Sequence, residues 1–267
     1  MRFKLILYSF SFFIIITACN KQEKTTDTKN MPMPVPAEKT EAQRIVDQVI
    51  EKHGGKAIAN SIIKFTFRDR QYKATRRGES FEYERAWTDS TGQQIRDVMN
   101  NGGMYREING KRMEISKEDQ SKYSNSINSV IYFALLPYFL NDRAVIKEYL
   151  GEVNIKGKAY HKIKVTFQQE GGGKDHEDEY VYWFNRDSLT MDYLAYNYLT
   201  DGGGARFREA YNVQYVNGVR FADYTNFKPK DATNRDVITF DDLFTNGNLE
   251  ELSKIENQNI EVIILKN

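Results

Sequence analysis

The fold turns on the stretch YVYWFNRDSLTMDYLAYNYL, residues 180–199. In an extended chain Tyr180, Tyr182 and Phe184 share one face, and Val181 and Trp183 share the other. A strand with large side chains on both faces has two buried faces, or one face lining a cavity. Residues 191–199 carry the same message through Tyr193, Tyr196 and Tyr198, and Phe207, Tyr211, Tyr215 and Tyr224 continue the series. Tyrosine suits a cavity wall, because its ring is apolar while its hydroxyl can bond a head group or water. The few residues between the two segments leave no room for a crossover helix, so the strands pair antiparallel.

Working outward, the same short-strand rhythm recurs. Residues 144–155 and 159–167 flank Lys156-Gly157-Lys158, and residues 205–216 and 219–227 flank Asn217-Gly218, a type I′ hairpin signal. Upstream, Ile63, Phe65 and Phe67 alternate with polar residues, and the phase slips before Tyr72 and Ala74, which predicts a bulge. Phe81, Tyr83, Arg85 and Trp87 share a face. Residues 95–99, 104–108 and 113–115 are separated by Asn101-Gly-Gly103 and Asn109-Gly110, and 260–265 reads as a last strand. Residues 241–254 are expected to hold a helical turn or two. Ten or more strands with few long connections predict a mainly β (α+β) fold. The expected form is one strongly curved antiparallel sheet, an incomplete β-barrel.

Two helices interrupt the strands. Thr40-Glu-Ala-Gln43 has capping-box spacing, and Ala42, Ile45, Val46, Val49 and Ile50 form one apolar stripe. His53 and Gly54-Gly55 close that helix, with His53 read as a helix-end residue, not a ligand. Mid-chain, Ser116 can cap a helix over 117–140, whose apolar run Val130-Ile-Tyr-Phe-Ala-Leu-Leu136 ends at Pro137. This segment is expected to be largely buried, in one or two pieces, as a lid over the sheet.

The chain begins with an address. Arg2 and Lys4 precede an uncharged run over 5–18, about 14 residues long, which is shorter than the roughly 20 a membrane span needs. It ends Ile16-Thr17-Ala18-Cys19, which resembles a bacterial lipobox with its cysteine at the lipid-attachment position; Cys19 is the one cysteine among 267 residues. Residues 1–18 therefore read as a lipoprotein signal peptide and 19–39 as a lipidated cysteine plus a tether containing Met31-Pro-Met-Pro-Val-Pro36. Residues 40–267 read as a single half-barrel domain. Two or more acyl chains on Cys19 would anchor it stably to a membrane. Asn20, where enterobacterial lipoproteins retained at the inner membrane carry Asp, points by analogy to the outer membrane and its periplasmic face.

Composition narrows the partners. A formal net charge of +1 excludes a nucleic-acid partner gripped by a basic face, and one cysteine excludes a disulfide scaffold or multi-thiolate cluster. No H-E-x-x-H, G-x-S-x-G or G-x-G-x-x-G occurs, so no catalytic motif, metal site or cofactor is predicted. Asp175-His-Glu-Asp-Glu179 could hold a cation, but reads more simply as a solvated acidic loop. A hydrolase would require His161 or His176 grouped with carboxylates in a cleft. Gly102-Gly-Met-Tyr-Arg-Glu107 echoes Gly203-Gly-Ala-Arg-Phe-Arg-Glu209, which fits two similar hairpins of one sheet.

The segments Tyr180-Val-Tyr-Trp-Phe184, Met191-Asp-Tyr-Leu-Ala-Tyr196, Gly202-Gly-Gly-Ala-Arg-Phe-Arg-Glu209, Asn217-Gly218, Phe81-Glu-Tyr-Glu-Arg85 and Arg106-Glu-Ile-Asn-Gly110 resemble an uncharacterised Bacteroidota lipoprotein family, over about 41–267. That family carries no activity to transfer. The element order also resembles the periplasmic lipoprotein-localisation carrier and receptor. That resemblance implies a half-barrel whose concave face takes acyl chains, although no motif maps carrier residues here. The expectation is a non-catalytic envelope protein that binds a lipid or other hydrophobic small molecule. Its candidate wall is Phe65, Phe67, Tyr83, Trp87, Tyr182, Phe184, Tyr196 and Tyr198, beneath Ile131, Phe133, Leu136 and Phe139 of the lid. The alternative is an interaction module whose Tyr/Arg-rich sheet face binds glycan or a partner protein.

Overall fold

A computed structural model of the chain describes residues 38–170, 177–199 and 202–266. The stretch read as a signal peptide, Cys19 and the expected tether as far as residue 37 lie outside these residues, as do Asp175 and His176 of the acidic run. From Lys39 onward the chain makes one compact unit.

The strands are β1 (Asn60–Phe67), β2 (Arg70–Arg77), β3 (Ser80–Thr88), β4 (Gln94–Asn100), β5 (Gly103–Ile108), β6 (Lys111–Met113), β7 (Val145–Ile155), β8 (Lys158–Phe167), β9 (Tyr180–Asn185), β10 (Met191–Tyr198), β11 (Gly204–Val216), β12 (Val219–Pro229), β13 (Leu249–Ile255) and β14 (Gln258–Ile264). The helices are α1 (Glu41–Lys52), α2 (Gly55–Ala59), α3 (Lys117–Ala134) and α4 (Phe240–Thr245). The predicted single curved sheet is in fact two seven-stranded antiparallel sheets. The first runs β14-β1-β2-β3-β4-β5-β6 and the second β13-β12-β11-β10-β9-β8-β7. The break falls between β13 and β14: Glu256 and Asn257 carry the chain from the edge of one sheet to the edge of the other. Neither sheet closes on itself, so the half-barrel class holds.

Turn chemistry sets the register. Asn109-Gly110, Lys156-Gly157 and Asn217-Gly218 all have positive φ at both positions, as type I′ hairpins need. Arg68 and Asp69 do too, at φ 50° and 60°. The phase slip read as a bulge is therefore a two-residue turn, which returns the chain so that Tyr72 lies opposite Phe65 and Ala74 opposite Ile63. Arg-Asp is an uncommon occupant of such a turn, so these residue types carry no hairpin signal. A second correction concerns 241–254: the helical turns end at Thr245, and 249–255 is the strand β13.

The helices are capped where expected. Thr40 Oγ1 accepts from the Gln43 amide, and Ser116 Oγ from that of Asp119, each satisfying a free helix-end donor. The Gln43 side chain does not complete a capping box; it reaches Asp47 and Asn141 instead. His53 caps the end of α1. Gly54 follows with φ +87°, and a Cβ there would stand 2.3 Å from the Gly218 carbonyl oxygen, so α1 can lie this close to the β11–β12 turn only over glycine.

Topology places α3. It links β6 to β7, the outermost strands of the two sheets, so it must cross the open side between them. Its Ile127 and Ile131, followed by Leu135 and Phe139, pack on the first sheet with Ile63, Phe65, Tyr72 and Tyr83. The first half of α3 mixes exposed and half-buried residues and buries none fully, so burial is concentrated toward Pro137, less widely than predicted. α1 covers the inner face of the second sheet, its Val46 and Val49 against Tyr182, Phe184 and Leu194. On the outer face α4 and the turn before it seal Trp183 and Phe207 beneath Val237 and Phe240. The residues that decided the fold thus sit on a strand buried on both sides. Each fully buried aliphatic side chain contributes about 1.5–3 kcal/mol before entropy is counted.

Candidate aromatic groove beside the lid helix

Alternation along β10, β11 and β12 turns Tyr196 and Tyr198, Arg206 and Arg208, and Tyr224 and Asn226 to the inner face. One turn of α3 faces them with Val130, Phe133 and Ala134, spaced as one side of a helix. Phe67 and Arg68 of the β1–β2 turn close one end. Together they bound a groove of about 440 Å³, within the size range of small-molecule sites. Its walls interlock: Phe133 lies 5.1 Å from the Tyr196 ring, and Tyr196 stacks on Tyr180 at 5.5 Å.

The charges here are uneven. Arg68, Arg206 and Arg208 line the groove against one described carboxylate, Asp178. The Arg208 guanidinium stands 4.1 Å over the Phe133 ring and 5.1 Å over that of Tyr196, and its Nη2 donates to the Tyr196 hydroxyl at 2.9 Å. Arg206 lies over Tyr198 at 5.2 Å. Burial pushes the Tyr224 phenol above its ordinary pKa, with Arg220 and Arg208 opposing the shift, so it stays neutral.

A second groove of about 470 Å³ lies on the other side of α3, lined by Tyr83, Tyr132, Phe139 and Phe167 among others. Tyr132 stacks on Phe139 at 5.2 Å, and Phe167 meets Tyr180 edge-on at 5.6 Å, so an aromatic partition divides the two grooves. Burial raises the Asp142 carboxyl at its rim, against the pull of Arg76 and Lys147. A larger hollow of about 720 Å³ at the far end of the second sheet is lined by polar turns, including Lys158, Arg186, Asp187 and Asp192.

The expected wall residues divide accordingly. Phe67, Phe133, Tyr196 and Tyr198 line the first groove, and Tyr83 and Phe139 the second. Phe65, Ile131 and Leu136 are core residues. Tyr182 and Phe184 are fully buried beneath α1, which occupies the concavity they were expected to line. Trp87 meets no groove; Arg70, Arg85 and Arg106 surround its ring at 4.5, 5.2 and 5.5 Å. Sequence reasoning missed Arg208, Arg206 and Asn226, although the echo Gly203–Glu209 runs through both arginines.

Among the described residues no group of histidine, cysteine and carboxylates could hold a metal. His161 does lie near a carboxylate, Glu152, at 3.7 Å, and 3.3 Å from the Tyr149 hydroxyl. Among the described residues no serine, threonine or cysteine is hydrogen-bonded to His161 or Glu152. His53 is buried against Val49 and Arg220. No helix among the described residues is long and apolar enough to cross a membrane.

The model of a family of unknown function, DUF6503, matches residues 31–257, and the chain belongs to that family. No curated protein matches. Among solved structures the chain is similar to a DUF1329 family protein from Desulfovibrio piger (11% identity, TM-score 0.47, covering 84% of this chain and 93% of that one). It is also similar to a LolA superfamily protein from Nitrosomonas europaea (9% identity, TM-score 0.44, covering 86% and 95%). A third similar structure is the lipoprotein LppX of Mycobacterium tuberculosis (9% identity, TM-score 0.28, covering 60% and 90%).

Proposed function

We propose that this member of the DUF6503 family is a lipid-anchored envelope protein that holds a hydrophobic or amphipathic molecule, such as an acyl chain, in the groove beside α3, without chemistry of its own. The observation that carries the reading is the groove itself: about 440 Å³, with Phe67, Phe133, Tyr196 and Tyr198 on its walls. Aromatic walls of this kind gain from every apolar group they shield from water, at about 25 cal/mol per Å² before the costs of association. Anchoring through Cys19 would place the groove beside a membrane, the outer membrane by the Asn20 analogy. The tether of about twenty residues, at roughly 3 Å each, could extend to about 60 Å.

Two experiments test this. Native mass spectrometry of residues 20–267, with organic extraction of what co-purifies, should show a bound apolar molecule that Phe133→Asp displaces while the circular dichroism spectrum persists. A clean apo mass with no uptake of a fluorescent fatty acid sinks the binding reading. Metabolic labelling with an alkynyl palmitate should mark the full chain and disappear in Cys19→Ala; label retained in that variant refutes the anchor.

A further inference from the structure

Among the described residues four cations are buried, and three of them are neutralised from within. Arg85 meets Asp97 at 2.5 Å, Lys162 meets Asp241 at 2.8 Å, and Arg220 lies 3.4 Å from Asp192. Arg208, 8% exposed, has no carboxylate partner among the described residues. Its Nε has no hydrogen-bond partner among the described residues. Of its five N–H donors one is engaged, by Tyr196. A buried charge without a counter-charge is costly, because the site replaces only part of the water it removes.

The internal echo sharpens the contrast. Arg106 and Arg208 are corresponding residues of the two Gly-led strands, and each stacks on an aromatic ring of α3: Arg106 over Tyr123 at 3.6 Å and Arg208 over Phe133 at 4.1 Å. Arg106, however, grips both oxygens of Asp97, at 2.6 and 2.9 Å. At the corresponding place Arg208 faces a groove. Asn226, its partner across β11–β12, donates to Ser253 while its Oδ1 has no partner, so the groove wall also holds a buried acceptor awaiting a donor. Arg68 and Arg206 add two more cations without carboxylate partners among the described residues.

We infer that Arg208 is the head-group site of this groove, and that the bound molecule is an anionic single-chain amphiphile. A carboxylate or phosphate monoester would lie against the guanidinium, and the chain would run between Phe133 and the tyrosines of β10. A phosphate monoester monoanion, which keeps one P–O–H beside its charge, could also donate to Asn226 Oδ1. The inference rests on the binding reading above and adds the ligand's charge and the residue that selects it. Charge-assisted bonds to guanidinium are directional and about twice as strong as neutral ones. Losing them should weaken binding by about tenfold to a hundredfold.

The test is calorimetric titration of residues 20–267 with dodecanoate, dodecyl phosphate and dodecanol, below micelle formation, alongside acetate and inorganic phosphate. The expected result is that both anionic amphiphiles bind at least tenfold more tightly than dodecanol, and that Arg208→Gln removes the difference. Arg208→Lys, which keeps the charge should Gln compromise folding, is expected to retain part of it. Equal affinity of the unmodified chain for dodecanoate and dodecanol overturns the assignment of Arg208 while leaving the groove as a binder. Acetate or phosphate binding as tightly as the long-chain anions overturns the amphiphile and makes this a small-anion site. Binding of none of the probes brings down the groove reading and this inference with it.

Discussion

His53 offers the sharpest quantitative test of the packing that frames the groove. It is 2% exposed where α1 ends against the second sheet. Nδ1 lies 2.8 Å from the Val49 carbonyl, and Nε2 accepts from the Met191 amide at 3.3 Å. These partners require a proton on Nδ1 and a free lone pair on Nε2, the neutral imidazole. Burial first, then the nearby Arg220, lowers its pKa from 6.5 to about 3. Between those values the unfolded chain takes up a proton that the folded chain refuses, so stability falls as the pH falls. From pH 7.5 to pH 5 the loss from this one residue is about 2 kcal/mol, at 1.36 kcal/mol per pH unit below 6.5. Urea unfolding of residues 20–267 and of the His53→Gln variant at both pH values isolates it, because the remaining titrating groups are common to both chains. The variant should be less stable at pH 7.5, yet lose about 2 kcal/mol less on acidification. An equal acid loss in the two proteins refutes the neutral, desolvated histidine and with it the tight seating of α1 on β10 and β12.

Other consequences are as direct. Asp97→Ala strands Arg85 and Arg106 without their shared carboxylate and should cost about 3–5 kcal/mol in denaturant unfolding; a loss below 1 kcal/mol would mean the cluster is not buried in solution. Gly54→Ala places a Cβ against the β11–β12 turn and should lower stability by more than the roughly 1 kcal/mol of a left-handed alanine alone, which a thermal melt would read. Ile131→Ala empties a fully buried position and should cost about 2–5 kcal/mol. Phe133→Ala removes a groove wall that is already partly open, so it should cost less than Ile131→Ala in the same assay while reducing fatty-acid uptake; the reverse order of stabilities would place Phe133 in the core.

Much of this architecture was legible in the sequence. The stripe of α1, the serine cap and proline stop around the lid, and hairpins marked by Asn109-Gly110 and Asn217-Gly218 follow from local rules that tertiary context did not override. The strand at Tyr180–Asn185, with large side chains on both faces, is buried along its whole length, as that pattern implies. What local pattern could not supply was the identity of its covers. Tyr182 and Phe184 look the same in sequence whether they line a cavity or lie beneath a helix, and α1 decides for the helix. The break between the two sheets was equally hidden, because it depends on β14 returning to pair with β1, a contact between the two ends of the domain that no hydrophobic period records. The site was only half visible for a related reason. An arginine in a strand reads as solvent-facing until its neighbours are known, and Arg208 becomes distinctive only when the structure shows that no carboxylate among the described residues meets it.

The same geometry limits what the half-barrel can carry. An open concavity spanning both sheets could take several acyl chains. Here α1 packs on the inner face of the second sheet, and Ile127 and Ile131 of α3 on that of the first. The remaining space is divided by the partition of Tyr132, Phe133, Phe167 and Tyr180 into grooves of about 440 and 470 Å³. Each is at the lower end of small-molecule sites, so a single chain suits either groove and a bulky multi-acyl lipid suits neither. Of the two, the Arg208 side has the stronger claim on an anionic molecule. In the other groove Arg76 is already engaged by the Tyr83 hydroxyl, and Asp142 and Glu79 stand nearby, so its cation is balanced. Apolar surface would hold a chain about equally on either side of the partition, and the unbalanced charge favours the side next to Phe133.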